Sequence, residues 1–172
     1  PQTECYQFDE TPVSCIEVAD ADYDLAELSP NLLENGNALS NQAISISEEQ
    51  VQYKPDSAEF LDPVSAAKTL QPLADFLTEN GEIQILLYGT CAGDTNTDYA
   101  LQLGRARAES VKSVLVADGI PEDRIITATV RTEDDPYYQS GLGTGEAASV
   151  NRKTVIADAS SDFGRQILEN AL

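Results

Sequence analysis

Leu103-Gly104-Arg105-Ala106-Arg107-Ala108-Glu109-Ser110-Val111 is the stretch on which the fold turns. It lies inside a helical run from about Thr97 to Asp118, which Gly119 ends, with Pro121 just beyond. The apolar stripe of that helix reads Ala100, Leu103, Val111 and Val114, leaving one place vacant at i+4 from Leu103. Arg107 fills it. This spacing predicts a permanent charge on the face that packs against a sheet. A buried cation without a partner is costly, so Arg107 needs an anion. An internal Asp or Glu satisfies it, or a ligand carboxylate does, held by a bidentate fork. Internal pairing, or snorkelling to the rim of the face, is the commoner fate of such arginines.

Outward from this helix the period switches repeatedly between strand and helix. Upstream, Ile83 to Tyr88 is short and rich in branched apolar residues, which predicts a buried strand. Asp62-Pro63 opens an earlier helix, with Asp as N-cap and Pro at the first helical position. Its apolar face is Ala67, Leu70, Ala74 and Leu77, Gly81 stops it, and Pro72 is expected to kink or split it. Ala43 to Ser47 alternates Ile44 and Ile46 with serines, and Val51 and Tyr53 are expected to continue that strand. Downstream, Arg124 to Arg131 alternates as a strand, residues 132–150 form a Gly-, Ser- and acid-rich loop, and Arg152 to Ala157 returns as a strand. A short amphipathic helix with Phe163, Ile167 and Leu168 on one side closes the chain. The order predicts an α/β (α+β) sandwich, β-α-β-α-β-β, with a small mixed sheet covered by helices on one face.

Charge divides the 172 residues. The first 50 hold eleven acidic residues and no Lys or Arg, and all ten basic residues of the chain follow. The expected organisation is an acidic extension over 1–43, a domain over 44–158 and a helical tail over 159–172. A net charge of −20 leaves no clustered basic face for nucleic acid, and disfavours an anionic membrane surface. No apolar run approaches the roughly 18 residues of a membrane span, so membrane contact is expected only through an anchor outside this sequence. The chain starts without Met or a signal pattern, as expected of a mature product whose leader has been removed.

Three cysteines occur, Cys5, Cys15 and Cys91, with no His and no zinc-ligand spacing. Cys5 and Cys15 lie close together in a loop-like acidic stretch, and a disulfide between them is expected in an exported protein. Two unpaired thiols in a reducing compartment is the alternative. Cys91 is left over.

Other chemistries fit poorly. Asp94-Thr95-Asn96-Thr97-Asp98 begins like a calcium loop, but Tyr99 stands where Gly is needed and Arg105 where a bidentate Glu is needed. Catalytic triads lack a His base, and no G-x-S-x-G elbow exists. Asp134-Asp135 reads as a solvated turn, and Gly141 to Gly145 as a flexible loop. No cofactor and no enzymatic activity are expected.

Five segments together resemble one family. Val51-Gln52-Tyr53-Lys54-Pro55-Asp56-Ser57 is similar to its first strand and Asp-Ser turn. Ile85 to Gly89 is similar to the strand ending in Gly-His-Thr-Asp, and Leu103 to Val111 to the L-[SG]-x-R-R-A-x-x-V helix. Asp118-Gly119-Ile120-Pro121 with Arg124-Ile125 resembles the G-I-x-x-x-R-I junction. Asn151-Arg152-Lys153-Thr154-Val155-Ile156 resembles the closing N-R-R-V strand. The family is that of OmpA-like C-terminal domains, which includes peptidoglycan-associated lipoprotein, and the resemblance spans about residues 44–158.

The resemblance implies non-covalent binding of peptidoglycan at the diaminopimelate residue of its stem peptide, in the cell envelope outside the cytoplasm. Arg107 takes the place of the Arg that holds the ligand carboxylate, and Thr90, Asp56 and Arg152 fall around the same site. The family's second anchor, an Asp holding the ligand ammonium, falls on Ala92, which has no charge. Asp94 and Asp98 are near enough in sequence to substitute, although loop and N-cap roles explain them as well. Peptidoglycan is the expected partner, together with other envelope proteins. The alternative is a degenerate domain that keeps the fold, bonds Arg107 internally, and serves as an envelope protein–protein interaction module.

Overall fold

A computed structural model of the chain describes residues 24–34, 38–91, 97–142 and 146–172. Cys5, Cys15, Ala92 and Asp94 lie outside the described residues.

The strands and α-helices of the described residues are β1 (Asp24–Glu27), β2 (Gln42–Ser47), α1 (Pro63–Glu79), β3 (Ile85–Gly89), α2 (Asp98–Ala117), β4 (Ile125–Ala128), β5 (Lys153–Asp158) and α3 (Asp162–Asn170). The sheet runs β1-β2-β5-β3-β4. Both outer pairs are parallel, and β5 is antiparallel to its neighbours β2 and β3. The sheet is mixed, as the sequence predicted. It gains a fifth strand from Asp24–Glu27, within the acidic stretch, for which the sequence predicts no element.

Period-2 alternation sorts the strands onto two cores. Ile44, Ile46, Ile85, Leu87, Ile125 and Ile156 point into the larger core, where they meet Leu70, Leu73 and Leu77 of α1 and Ala108, Val111 and Leu115 of α2. Leu86, Tyr88, Val155 and Ala157 point the other way and meet Phe163 and Ile167 of α3. The two long helices therefore share one face. The terminal helix, which the sequence located without assigning a face, closes the other.

The helix ends follow local chemistry. Asp62 Oδ1 accepts from the Ser65 N–H at 3.1 Å, the N-cap that the sequence predicts. At the end of α2, Gly119 has φ of 103°, its N–H reaches the Val116 carbonyl, and the Ile120 N–H reaches that of Leu115. This Schellman closure is the stop read from the sequence. The end of α1 is made differently from the expected Gly81 stop: Arg124 donates to the carbonyls of Leu77 and Asn80 through Nη2 and of Ile83 through Nε, at 2.8–2.9 Å.

Two expectations about continuity fail. Helix α1 runs unbroken through Pro72. The carbonyl that loses its donor belongs to Lys68, which is exposed, while the buried leucines on the opposite side hold the helix to the core. Strand β2 does not continue to Val51 and Tyr53. The Val51 and Gln50 N–H groups fold back onto the Ser47 carbonyl, and the Gln50 side chain ties Ser47 N–H to the Leu28 carbonyl. Tyr53 then forms one antiparallel bridge with Phe60.

The buried stripe of α2 is Gly104, Ala108, Val111 and Leu115 rather than Ala100, Leu103, Val111 and Val114. Gly104 packs backbone to backbone against Gly89 of β3, which turns this side of the helix to the sheet. Arg107 is thereby rotated from the expected sheet-facing position to the margin.

Candidate functional site

Helix α2 grips the 53–60 segment at three consecutive carbonyls. Tyr99 Oη donates to the carbonyl of Asp56 at 3.3 Å, Arg107 Nε to that of Ser57 at 2.9 Å, and Ser110 Oγ to that of Ala58 at 2.6 Å. The gripped turn carries Asp56 at φ of 52°, the one non-glycine residue with positive φ among the described residues. Aspartate tolerates this left-handed conformation better than most side chains.

Between the turn and the helix lies an open cleft of about 560 Å³, lined among others by Tyr53, Asp56, Cys91, Tyr99, Arg107 and Arg152. Tyr99, Leu103 and Arg107 succeed one another at i+4 along one wall. The Arg107 guanidinium lies over the Tyr53 ring, 4.7 Å from its centroid, and Tyr53 stacks in turn on Phe60. Arg107 is half-buried, and Nε is its one nitrogen bonded to protein among the described residues. No carboxylate among those residues pairs with it. The two terminal nitrogens are left for an anion in the cleft.

Arg152 stands in the same cleft but is already committed. Its Nε pairs with Glu48, and its Nη2 reaches the second Glu48 oxygen at 3.0 Å. Lys54 likewise pairs with Glu59. The Cys91 thiol donates to the Ala100 carbonyl. Burial pushes the Cys91 thiol up, Arg107 and Arg152 pull it down, and Asp56 adds to the rise. Burial also pushes Tyr53 up to about 12, against the pull of Arg107 and of a hydrogen bond with Thr154.

The other expected site residues are placed apart. Thr90 is buried and does not line the cleft; its hydroxyl donates to the Asn151 carbonyl and its N–H to that of Lys153. Asp98 is exposed in the first turn of α2 and does not line the cleft. The N-cap there is Thr97, whose hydroxyl accepts from the Ala100 N–H. Asp135 is no solvated turn residue. It is buried, paired with Lys153 at 2.8 Å, and accepts from the Tyr88 hydroxyl at 3.1 Å. Sequence reasoning passed over Tyr53 and Tyr99 as site residues. The signal for Tyr99 was its position two helical turns before Arg107.

With this geometry in place, comparison with known proteins decides the family. The OmpA family matches residues 52–152. The chain belongs to the OmpA family. No curated protein matches it. Among solved structures, the chain is similar to the peptidoglycan-associated lipoprotein from Burkholderia pseudomallei, with 24% identity and a TM-score of 0.51 over 74% of this chain and 96% of that one. It is similar to the cell wall anchor of the T6SS from Pseudomonas aeruginosa, with 21% identity and a TM-score of 0.52 over 66% and 78%. The periplasmic domain of Helicobacter pylori MotB aligns at 14% identity and a TM-score of 0.53 over 74% and 91%. These likenesses extend the OmpA-family fold across most of the described residues.

Proposed function

We propose that this OmpA-family domain is a non-catalytic module of the cell envelope, outside the cytoplasm, that binds peptidoglycan non-covalently at a diaminopimelate-type stem peptide. Arg107 is its carboxylate clamp. One observation carries the reading: a guanidinium fixed by the Ser57 carbonyl and the Tyr53 ring presents its terminal nitrogens to an open cleft, and no carboxylate among the described residues neutralises it. Such a pre-aimed fork matches the two oxygens of a carboxylate. A diaminopimelate side chain ends in a carboxylate, whereas lysine at the same stem position does not. The neighbours described as a cell wall anchor and a peptidoglycan-associated lipoprotein support the same partner.

Sedimentation with isolated sacculi tests this. The wild type pellets with diaminopimelate-type sacculi and remains in solution with lysine-type ones. Arg107→Ala weakens pelleting by about tenfold to a hundredfold, the loss expected for a charge-assisted bidentate contact. Equal pelleting by wild type and Arg107→Ala rejects the clamp. No pelleting by either favours the envelope protein–protein interaction module instead.

A further inference from the structure

Among the described residues the cleft holds one cation ready for an anion, and the resemblance puts the family's acid at a position that is Ala92 in this sequence. Any ligand centre bearing an ammonium next to its carboxylate needs a second, negative anchor close to Arg107. Among the described residues, the carboxylates near the cleft reduce to one. Glu48 faces the cleft but accepts both contacts from Arg152. Asp98 is exposed outside the lining. Asp56 lines the cleft, and its carboxylate takes no hydrogen bond or ion pair from the described residues. Lys54, on the same turn, is held by Glu59 and does not neutralise it.

Position argues further for Asp56. Arg107 binds the carbonyl of the very next residue, Ser57, so clamp and carboxylate are separated by a single peptide unit. Tyr99 fixes the Asp56 carbonyl from the other side. The grip holds Asp56 in a left-handed conformation that only a few side-chain types accept readily. The Cys91 thiol feels Arg107, Arg152 and Asp56 together, so the opposed charges act on one point of the cleft.

We propose that Asp56 is the ammonium-binding residue of this cleft, replacing the acid missing at Ala92, so that Asp56 and Arg107 together select a ligand centre carrying both an ammonium and a carboxylate. The proposal rests on the peptidoglycan reading above and assigns the second half of its specificity. Both contacts are charge-assisted hydrogen bonds, and each is worth about tenfold to a hundredfold in affinity.

Calorimetry with three soluble stem tripeptides separates the two layers. One ends in diaminopimelate, the second is acetylated on the free diaminopimelate amine, and the third carries lysine in its place. The wild type prefers the free amine over the acetylated peptide by about tenfold or more. Asp56→Asn, which keeps a side chain tolerant of the left-handed turn, abolishes that preference but still favours diaminopimelate peptides over lysine. Adding Ala92→Asp to Asp56→Asn restores it. If Asp56→Asn retains the wild-type preference for the free amine, the assignment is overturned, and loss of that preference in Asp94→Asn moves the role to Asp94. If Arg107→Ala leaves the discrimination against lysine intact, the clamp reading fails, whatever Asp56 does. Binding of no tripeptide by the wild type overturns both.

Discussion

A Cβ placed on Gly89 would stand 1.9 Å from the carbonyl oxygen of Gly104, and one placed on Gly104 would stand 2.6 Å from the carbonyl oxygen of Gly89. The backbones of β3 and α2 touch here, and the nearest atoms on both sides are backbone. Gly104→Ala therefore forces the helix off the strand, at about 1–3 kcal/mol for overpacking. Urea unfolding reads that loss directly. Because α2 also carries Tyr99, Arg107 and Ser110, the same variant loosens the turn and weakens sacculus binding. A variant with wild-type stability shows that the two backbones are free to separate.

The Lys153–Asp135 pair is buried and bonded to Tyr88. Lys153→Met leaves the Asp135 carboxylate enclosed without its counter-charge and costs about 3–5 kcal/mol. Replacing both partners, Lys153→Met with Asp135→Leu, recovers most of this. A remainder of about 1–3 kcal/mol reflects the Tyr88 hydroxyl, which then lacks its acceptor. Denaturation of both variants beside the wild type measures the coupling. Equal stability of Lys153→Met and wild type counts against a structural role for the pair.

Alkaline pH acts through Tyr53. Its folded value of about 12 lies above the ordinary 10, so the native state holds the phenolic proton more tightly than the unfolded chain. The associated stability is fully present below pH 10 and is lost as pH rises from 10 through 12. Tyr88 is pushed in the same direction by burial and by Asp135. Tyrosinate absorbance during a pH titration reports these late-ionising rings, and Tyr53→Phe removes one of them. A profile unchanged by that substitution argues against a raised Tyr53.

Cysteine labelling tests redox state and environment together. In an exported protein we expect Cys5 and Cys15 to be joined, so that alkylation without reductant marks Cys91 alone. Burial raises the Cys91 thiol, so labelling is slow at mildly alkaline pH and speeds up as pH climbs past the ordinary thiol range, or when denaturant opens the fold. Mass analysis showing three labelled cysteines rules out the disulfide.

Local chemistry made much of this fold readable in advance. The Asp62-Pro63 cap, the Gly119 stop and the apolar run before Gly89 each act within a few residues, so the sequence carries them whole. Contacts that depend on partners far along the chain were harder. Arg124 stood in a recognisable junction, yet its role at the end of α1 requires carbonyls some forty positions earlier. The burial of Asp135 depends on Lys153 and Tyr88. The rotation of α2 comes from Gly104 meeting Gly89, so a stripe counted on side chains alone put Leu103 where a glycine packs. Of the site, Arg107 and Asp56 were legible as residues. The grip that sets them side by side is made of backbone carbonyls, which leave no mark in the sequence.

Three carbonyls in a row held by one helix tie the 56–58 turn to α2. A ligand that meets this turn has little of it left to order, so contacts made there count more fully toward affinity. Substitutions at Tyr99 or Ser110 would then register chiefly as shorter residence on the wall, with the rate of capture almost unchanged. For a module whose task is holding on, dwell time is the quantity that this turn and helix set.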